Sequence, residues 1–309
     1  MRRAWVSGIS GFLLCIGGCS DPESGEEATG QDEGIPTSSS SETDSSGAST
    51  NAEDTGMKLD VGGGSTGMDT TAETGDECDQ DVDIVFVMDV STTMGPFLDQ
   101  LEAEITNVAT TLGNYNLPSD PHYGLVVFVD DILIANAGQP YTDVNQLRAD
   151  FEMWNAFTSG NTQTSGSGSN STWPENSLDA IYAGATAFPW RPADTTLRVI
   201  IHTTDDTFWD GPTTGNGLMI DHGYAETVDA LQAGTIRFFS FAALIGGITE
   251  SDDVSMGWST PYMGMDPIPD QTGGGWWNID QVLAMQVSLS ASIEQAIEDS
   301  LCEEYPPID

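Results

Sequence analysis

A chain of 309 residues can hold one large domain or two small ones. Its 49 acids face only 7 bases, a net charge of −42. Charge of that sign argues against nucleic acid, phosphate or anionic membrane surfaces as partners, suits cations, and in excess serves solubility.

The N-terminus reads Met1-Arg2-Arg3, followed by an apolar stretch through Val6, Ile9, Phe12, Leu13, Leu14 and Ile16. A charged start and a run too short to span a bilayer predict a signal peptide over residues 1–18. Its end, Ile16-Gly17-Gly18-Cys19, resembles a bacterial lipobox. That resemblance implies that Cys19 takes a diacylglycerol and becomes the mature N-terminus. An ordinary signal peptide with an incidental cysteine is the alternative, and the abrupt polar turn at Ser20-Asp21-Pro22-Glu23 favours the lipoprotein. No other apolar run reaches spanning length, so the sequence predicts an anchored protein rather than an embedded one. Ser20 after Cys19 points to the outer membrane and the cell surface.

Residues 19–77 hold no aromatic side chain and are dominated by Ser, Thr, Gly, Asp and Glu. Such a segment buries too little apolar surface to offset the entropy of ordering, and a disordered tether is expected. Gly63-Gly64-Ser65-Thr66-Gly67 matches a nucleophile elbow, but no strand or helix pattern flanks it. Of the four cysteines, Cys15 and Cys19 fall in the leader, while Cys78 and Cys302 bracket the remainder. In an exported protein a pair so widely spaced predicts a disulfide rather than a metal or redox motif.

From Asp79 strand and helix patterns alternate. Val82 to Met88 is a β-branched apolar run, as a buried parallel strand requires. Phe97, Leu101, Ile105, Val108 and Leu112 recur at helical spacing up to Gly113. Gly124 to Val129 and Ile132 to Ala135 read as a hairpin with Asp130 and Asp131 at the turn. A helix capped by Thr142 follows, with Val144, Leu147, Phe151 and Trp154 on one face. The polar stretch from Thr158 to Thr172 has the length of a functional loop. Beyond it, Leu178 to Ala185 reads as a helix, Leu197 to His202 as a buried strand, and Tyr224 to Leu231 as a helix ended by Gly234. Ile236 to Phe241 reads as another strand, Trp276 to Ile279 as an edge strand, and Leu289 to Leu301 as a closing helix. Alternation of this kind predicts a doubly wound, Rossmann-like α/β domain with a mostly parallel sheet over residues 78–302, and a tail over 303–309.

In such sheets ligands sit at the carboxyl ends of strands. Asp89 directly follows the first strand and opens Asp89-Val90-Ser91-Thr92-Thr93; Asp205 directly follows Thr203-Thr204. The Asp-x-Ser-x-Thr segment resembles the metal-ion-dependent adhesion site of von Willebrand factor A domains. Trp173-Pro174-Glu175-Asn176-Ser177 resembles the stretch of integrin β subunits in which Pro-Glu supplies a ligand. The resemblance implies a metal site of Asp89, Ser91, Thr93, Glu175 and Asp205, with Thr172 or Ser177 as alternatives to Glu175. Hard oxygen donors imply Mg²⁺, with Mn²⁺ and Ca²⁺ as alternatives. Pro96 and Phe97 stand where an adjacent calcium site would need acids, so that site is not supported; Asn170 falls at a second flanking position where Thr172 replaces an acid. Each residue alone has a structural reading: Asp89 as a cap, Ser91 and Thr93 in a turn, Glu175 as a first-turn helix acid. His202, inside a strand, reads as a core histidine, and Trp276-Trp277 as packing.

The resemblance implies a surface module that binds a protein partner by bridging the metal to the partner's carboxylate, or alternatively a glycan. A scaffold domain in which the metal only stabilises the fold is the second reading. No Ser/His/Asp spacing or phosphate loop is present, so no enzyme is expected.

Overall fold

The computed structural model describes residues 79–308, apart from 167, 172 and 246–252. The leader, the tether, Cys19, Cys78 and Thr172 lie outside the described residues.

The first strand, β1 (Asp81–Asp89), is buried along its whole length from Val82 onward, which explains its unbroken apolar sequence. A 3₁₀ turn over Thr92–Met94 leads into α1 (Gly95–Leu112), whose Phe97, Leu101, Ile105, Val108 and Leu112 face the core. Strands β2 (His122–Phe128) and β3 (Ile132–Ile134) form the expected hairpin. The next helix, α2 (Val144–Thr158), is capped by Asp143, whose Oδ1 accepts from Asn145 N–H at 2.9 Å, and not by Thr142. Asp143 sits one residue closer to the first turn, where a side-chain acceptor meets an orphan backbone donor. Then come α3 (Ser177–Ala187), β4 (Thr196–Thr204), the short strands β5 (Thr213–Gly215) and β6 (Leu218–Ile220), α4 (Tyr224–Ala233) and β7 (Ile236–Ala242). The chain continues through α5 (Ile268–Gln271), β8 (Gly275–Asn278), α6 (Ile279–Leu283) and α7 (Leu289–Glu298).

The β5–β6 hairpin was not anticipated. Its turn is Asn216-Gly217, both at positive φ (46° and 79°), the pair that a tight hairpin with matching twist favours. The final helix ends at Glu298, three residues before the expected Leu301.

The main sheet has the order β3-β2-β1-β4-β7-β8. All neighbours pair parallel except β2 with the edge strand β3. The protein is therefore a doubly wound α/β domain with a mostly parallel sheet. α1 packs with α2 and α7, and α3 packs with α4, as right-handed crossovers on both sides of the starting strand require. At the β8 edge, Trp277 stacks on Phe241 (4.9 Å between centroids), while Trp276 is exposed. His202 is fully buried among Phe128, Phe238 and Trp258, with Nδ1 3.0 Å from Ser240 Oγ. Burial drives its pKa down to about 3, so it is a neutral core residue. Residues past Cys302 are held as well, since Arg237 donates to the carbonyls of Gly273, Glu303 and Glu304. Among the described residues no helix is long and apolar enough to cross a membrane.

Candidate metal centre

From β1 the winding runs outward to β2 and β3, then returns across β1 to β4 and β7. The reversal lies between β1 and β4, whose carboxyl ends are in register at Met88 and Thr203. A crevice at such a reversal is where open α/β sheets bind ligands.

Asp89 ends β1 and is fully buried. Its Oδ1 accepts from Ser91 N–H and its Oδ2 from Thr204 Oγ–H, each at 2.8 Å. The first residue beyond β4 is Asp205, half-buried, followed by Asp206. One carboxylate oxygen from each of Asp89, Asp205 and Asp206 lies within 4.8 Å of the others. Asp206 was missed by sequence reasoning, which stopped at the first acid after the strand although the pair Asp205-Asp206 was visible. On the turn into α1, Ser91 is buried and Thr93 exposed, with their hydroxyl oxygens 3.4 Å apart. The Thr93 side chain also hydrogen-bonds Asp205.

Glu175 reaches this edge through backbone pairing. Its N–H donates to Thr207 O (2.8 Å) and its carbonyl accepts from Trp209 N–H (3.0 Å), so it lies alongside the segment that follows Asp206. Asn176 N–H donates to Val129 O at 2.8 Å, which fixes the same segment to the end of β2. The Glu175 side chain is fully buried; its Oε1 accepts from Asn170 Nδ2 at 2.9 Å. It stands outside the triple of close carboxylate oxygens, but Asp89, Asp130 and Asp206 all act on its charge. Ser177, the alternative hydroxyl, opens α3 and is buried, and its Oγ bonds to none of the described residues.

Electrostatics at this edge are unfavourable in isolation. Burial first, and then Asp205, raise the Asp89 carboxyl to about 7, against the lowering effect of Ser91 and Thr204. Burial, then Asp89, hold Glu175 at about 10, with Asn170 pulling the other way. Asp205 is raised by burial, with Thr93 opposing. The four arginines of the folded part are engaged elsewhere: Arg148 with Glu102, Arg191 with Asp81 and Asp83, and Arg198 and Arg237 with backbone carbonyls. Glu175 Oε2 and Asp205 Oδ1 are buried and accept no hydrogen bond from the described residues. Oxygen-only donors, excess negative charge and orphaned carboxylate oxygens fit a hard divalent cation of the Mg²⁺, Mn²⁺ or Ca²⁺ kind.

No protein-family model and no curated protein matches the chain. Several solved structures match part of the chain. The conserved hypothetical protein BatB from Bacteroides thetaiotaomicron is 15% identical with a TM-score of 0.41, over 70% of this chain and 99% of that one. An aerotolerance-related membrane protein from Bacteroides fragilis is 14% identical with a TM-score of 0.39, over 71% and 98%. Proximal thread matrix protein 1 from the mussel byssus is 12% identical with a TM-score of 0.40, over 71% of this chain. The match spans only 46% of that mussel protein, which has also been solved with a zinc-occupied MIDAS motif. Likeness at this level establishes no kinship and no function.

Proposed function

We propose that the folded body is a von Willebrand factor A-type module that binds a divalent cation at the β1–β4 edge and uses it to hold a protein partner. The observation that carries this reading is the convergence of Asp89, Asp205 and Asp206 where the sheet's winding reverses, with no basic side chain among the donors. Asp89, Asp205 and Asp206, with the hydroxyls of Ser91 and Thr93, would hold the ion, and Glu175 would face it from the β2 side. A bound divalent ion supplies an electrophilic position that a partner's carboxylate can fill. The Ser91 and Thr93 hydroxyls would add oxygen donors without adding charge, and the buried walls would strengthen the attraction. The chain's role in this reading is to preorganise oxygens; it performs no chemical step, and we assign no enzymatic activity.

The placement that goes with this reading is a cell envelope, with Cys19 as the lipid-bearing N-terminus and Cys78 and Cys302 joined. Adhesion to a protein is favoured over binding of a glycan. A scaffold role, in which the ion only stabilises the fold, has one observation in its favour: Glu175 is fully buried, and both its N–H and its carbonyl are bound to the backbone on either side of Phe208.

Isothermal titration of the chelator-stripped protein with Mg²⁺, Mn²⁺ and Ca²⁺ tests the centre, and one saturable site lost in Asp89→Ala is the expected result. Pulldown from native envelope with and without chelator then separates the readings. Capture lost with chelator, while circular dichroism shows an intact fold, supports adhesion; capture indifferent to chelator leaves the scaffold role.

A further inference from the structure

Beside the metal centre, a cavity of about 430 Å³ opens between α3, the β2–β3 turn and the β5–β6 hairpin. Asp179, in the first turn of α3, organises it. The Asp179 carboxylate accepts from the backbone N–H groups of Asp221 and His222 and from Asn176 Nδ2, and His222 Nδ1 lies 2.8 Å away. The His222 ring lies flat on Tyr182, with centroids 3.6 Å apart. These contacts fix Asp221, itself exposed, at the rim. Asp130, Asp131, Asp179 and Asp221 line the cavity with no lysine or arginine among the lining residues.

A second observation, independent of charge, is Asn176. Its Nδ2 donates to Asp130 O (3.3 Å) and to Asp179 Oδ2 (3.0 Å), which identifies Oδ1 as the remaining acceptor. Asn176 lines the cavity and is only 3% exposed, and its Oδ1 accepts no hydrogen bond from the described residues. A buried acceptor left in this state calls for a donor. The opposite wall is apolar, with Leu218 and Met219, the latter 64% exposed.

We propose that this cavity is a subsite for an alkylammonium group, the lysine side chain of a protein partner. Acidic charge and an orphaned acceptor suit a cationic donor, and the Leu218–Met219 wall suits a four-carbon stem. Arginine fits less well. Its fork wants an open carboxylate pair, whereas the oxygens of Asp131 are taken by the N–H and hydroxyl groups of Thr164 and Ser165. The choice of a protein as the source rests on the adhesion reading; the chemistry of the cavity does not.

The test titrates Mg²⁺-loaded protein with Nα-acetyl-lysine methylamide while following the His222 and Tyr182 ring resonances by NMR. Saturable shifts are expected, with none from the norleucine analogue, which keeps the stem and loses the charge. Asp221→Asn should weaken binding roughly fivefold, the scale of one partly exposed charge pair. Asp89→Ala should leave lysine-amide binding intact while abolishing metal binding, so failure of the centre and failure of the cavity are read separately. Equal response to the norleucine analogue, no saturable shift, or unchanged affinity in Asp221→Asn overturns the subsite. Cadaverine binding about tenfold tighter than the lysine amide overturns the peptide source.

Discussion

Asp89 stands under two opposed influences. Hydrogen bonds from Ser91 and Thr204 favour its charged form, while burial and Asp205 favour the proton and win, raising its pKa from 3.8 to about 7. The folded state therefore holds a proton that the unfolded chain releases near 3.8. Without a cation, stability falls as pH rises through that interval, and the penalty is complete above about 7. Glu175 extends the same trend toward 10. In chelator, calorimetry of the parent against Asp89→Asn should show the parent losing melting temperature relative to the variant as pH rises from 4 to 7. A parent that keeps or gains melting temperature relative to the variant over that range defeats the assignment. Asp89→Asn should also be the more stable protein in chelator at neutral pH and should ignore added Mg²⁺. Saturating Mg²⁺ should raise the parent's melting temperature by mass action, with each ~1 kcal/mol of binding worth about 2–4 °C in a domain of this size. Affinity should rise with pH, since the ion competes with protons. Asp89, Ser91, Thr93 and Asp205 were legible as candidates because they follow apolar strands in a recognisable spacing. Asp130 reads from the sequence only as a turn residue, because nothing local reveals that its carboxylate will act on the charge of Glu175, 45 positions further along the chain.

Among the elements, those announced by periodicity were readable and those held by distant contacts were not. β1, β4 and β7 could be read because strands buried on both faces must be apolar throughout, and α1 because its core face repeats at 3.6 residues. The β5–β6 hairpin escaped because its strands are three residues each, too short for alternation to register; Asn216-Gly217 was the available signal. The anchor at the amino end of β1 was invisible because its partners are 108 residues apart. Asp83 is fully buried, and Arg191 meets it through Nε at 2.7 Å and Nη2 at 2.6 Å while donating to Val82 O. Breaking a buried pair by removing one member leaves an uncompensated charge, so Arg191→Met should cost about 3 kcal/mol or more in chemical denaturation. Asp83→Asn combined with Arg191→Met should recover much of that loss. Equal destabilisation by the single and double variants would mean that packing of the arginine stem, and not the buried charge, sets the cost.

At the scale of the whole molecule, the acidic excess and the closure of the folded body are separate matters. Acids spread over the surface serve solubility, whereas the three at the β1–β4 edge are brought together by topology, a distinction that net charge cannot express. Closure concerns the other end of β1. Cys302 lies just past α7, and its backbone N–H donates to Gln80 Oε1 at 3.0 Å. Gln80 is two residues beyond Cys78 in the sequence, and the proposed disulfide would join Cys78 to Cys302. Joining residues so far apart in sequence should stabilise the domain by about 4 kcal/mol or more in the chain-entropy account. Cys302→Ser should then lower the melting temperature by roughly 10 °C. Peptide mapping without reductant should recover the 78–302 crosslink, and two free thiols in native protein would rule it out. The Mg²⁺ response should survive in Cys302→Ser with its size unchanged. β1 runs nine residues from Asp81 to Asp89, which sets the Gln80–Cys302 contact and the metal centre roughly 25 Å apart at opposite ends of an extended strand, and effects so separated add. A Mg²⁺ shift that disappears together with the disulfide would show instead that the carboxylate edge depends on closure of the whole domain.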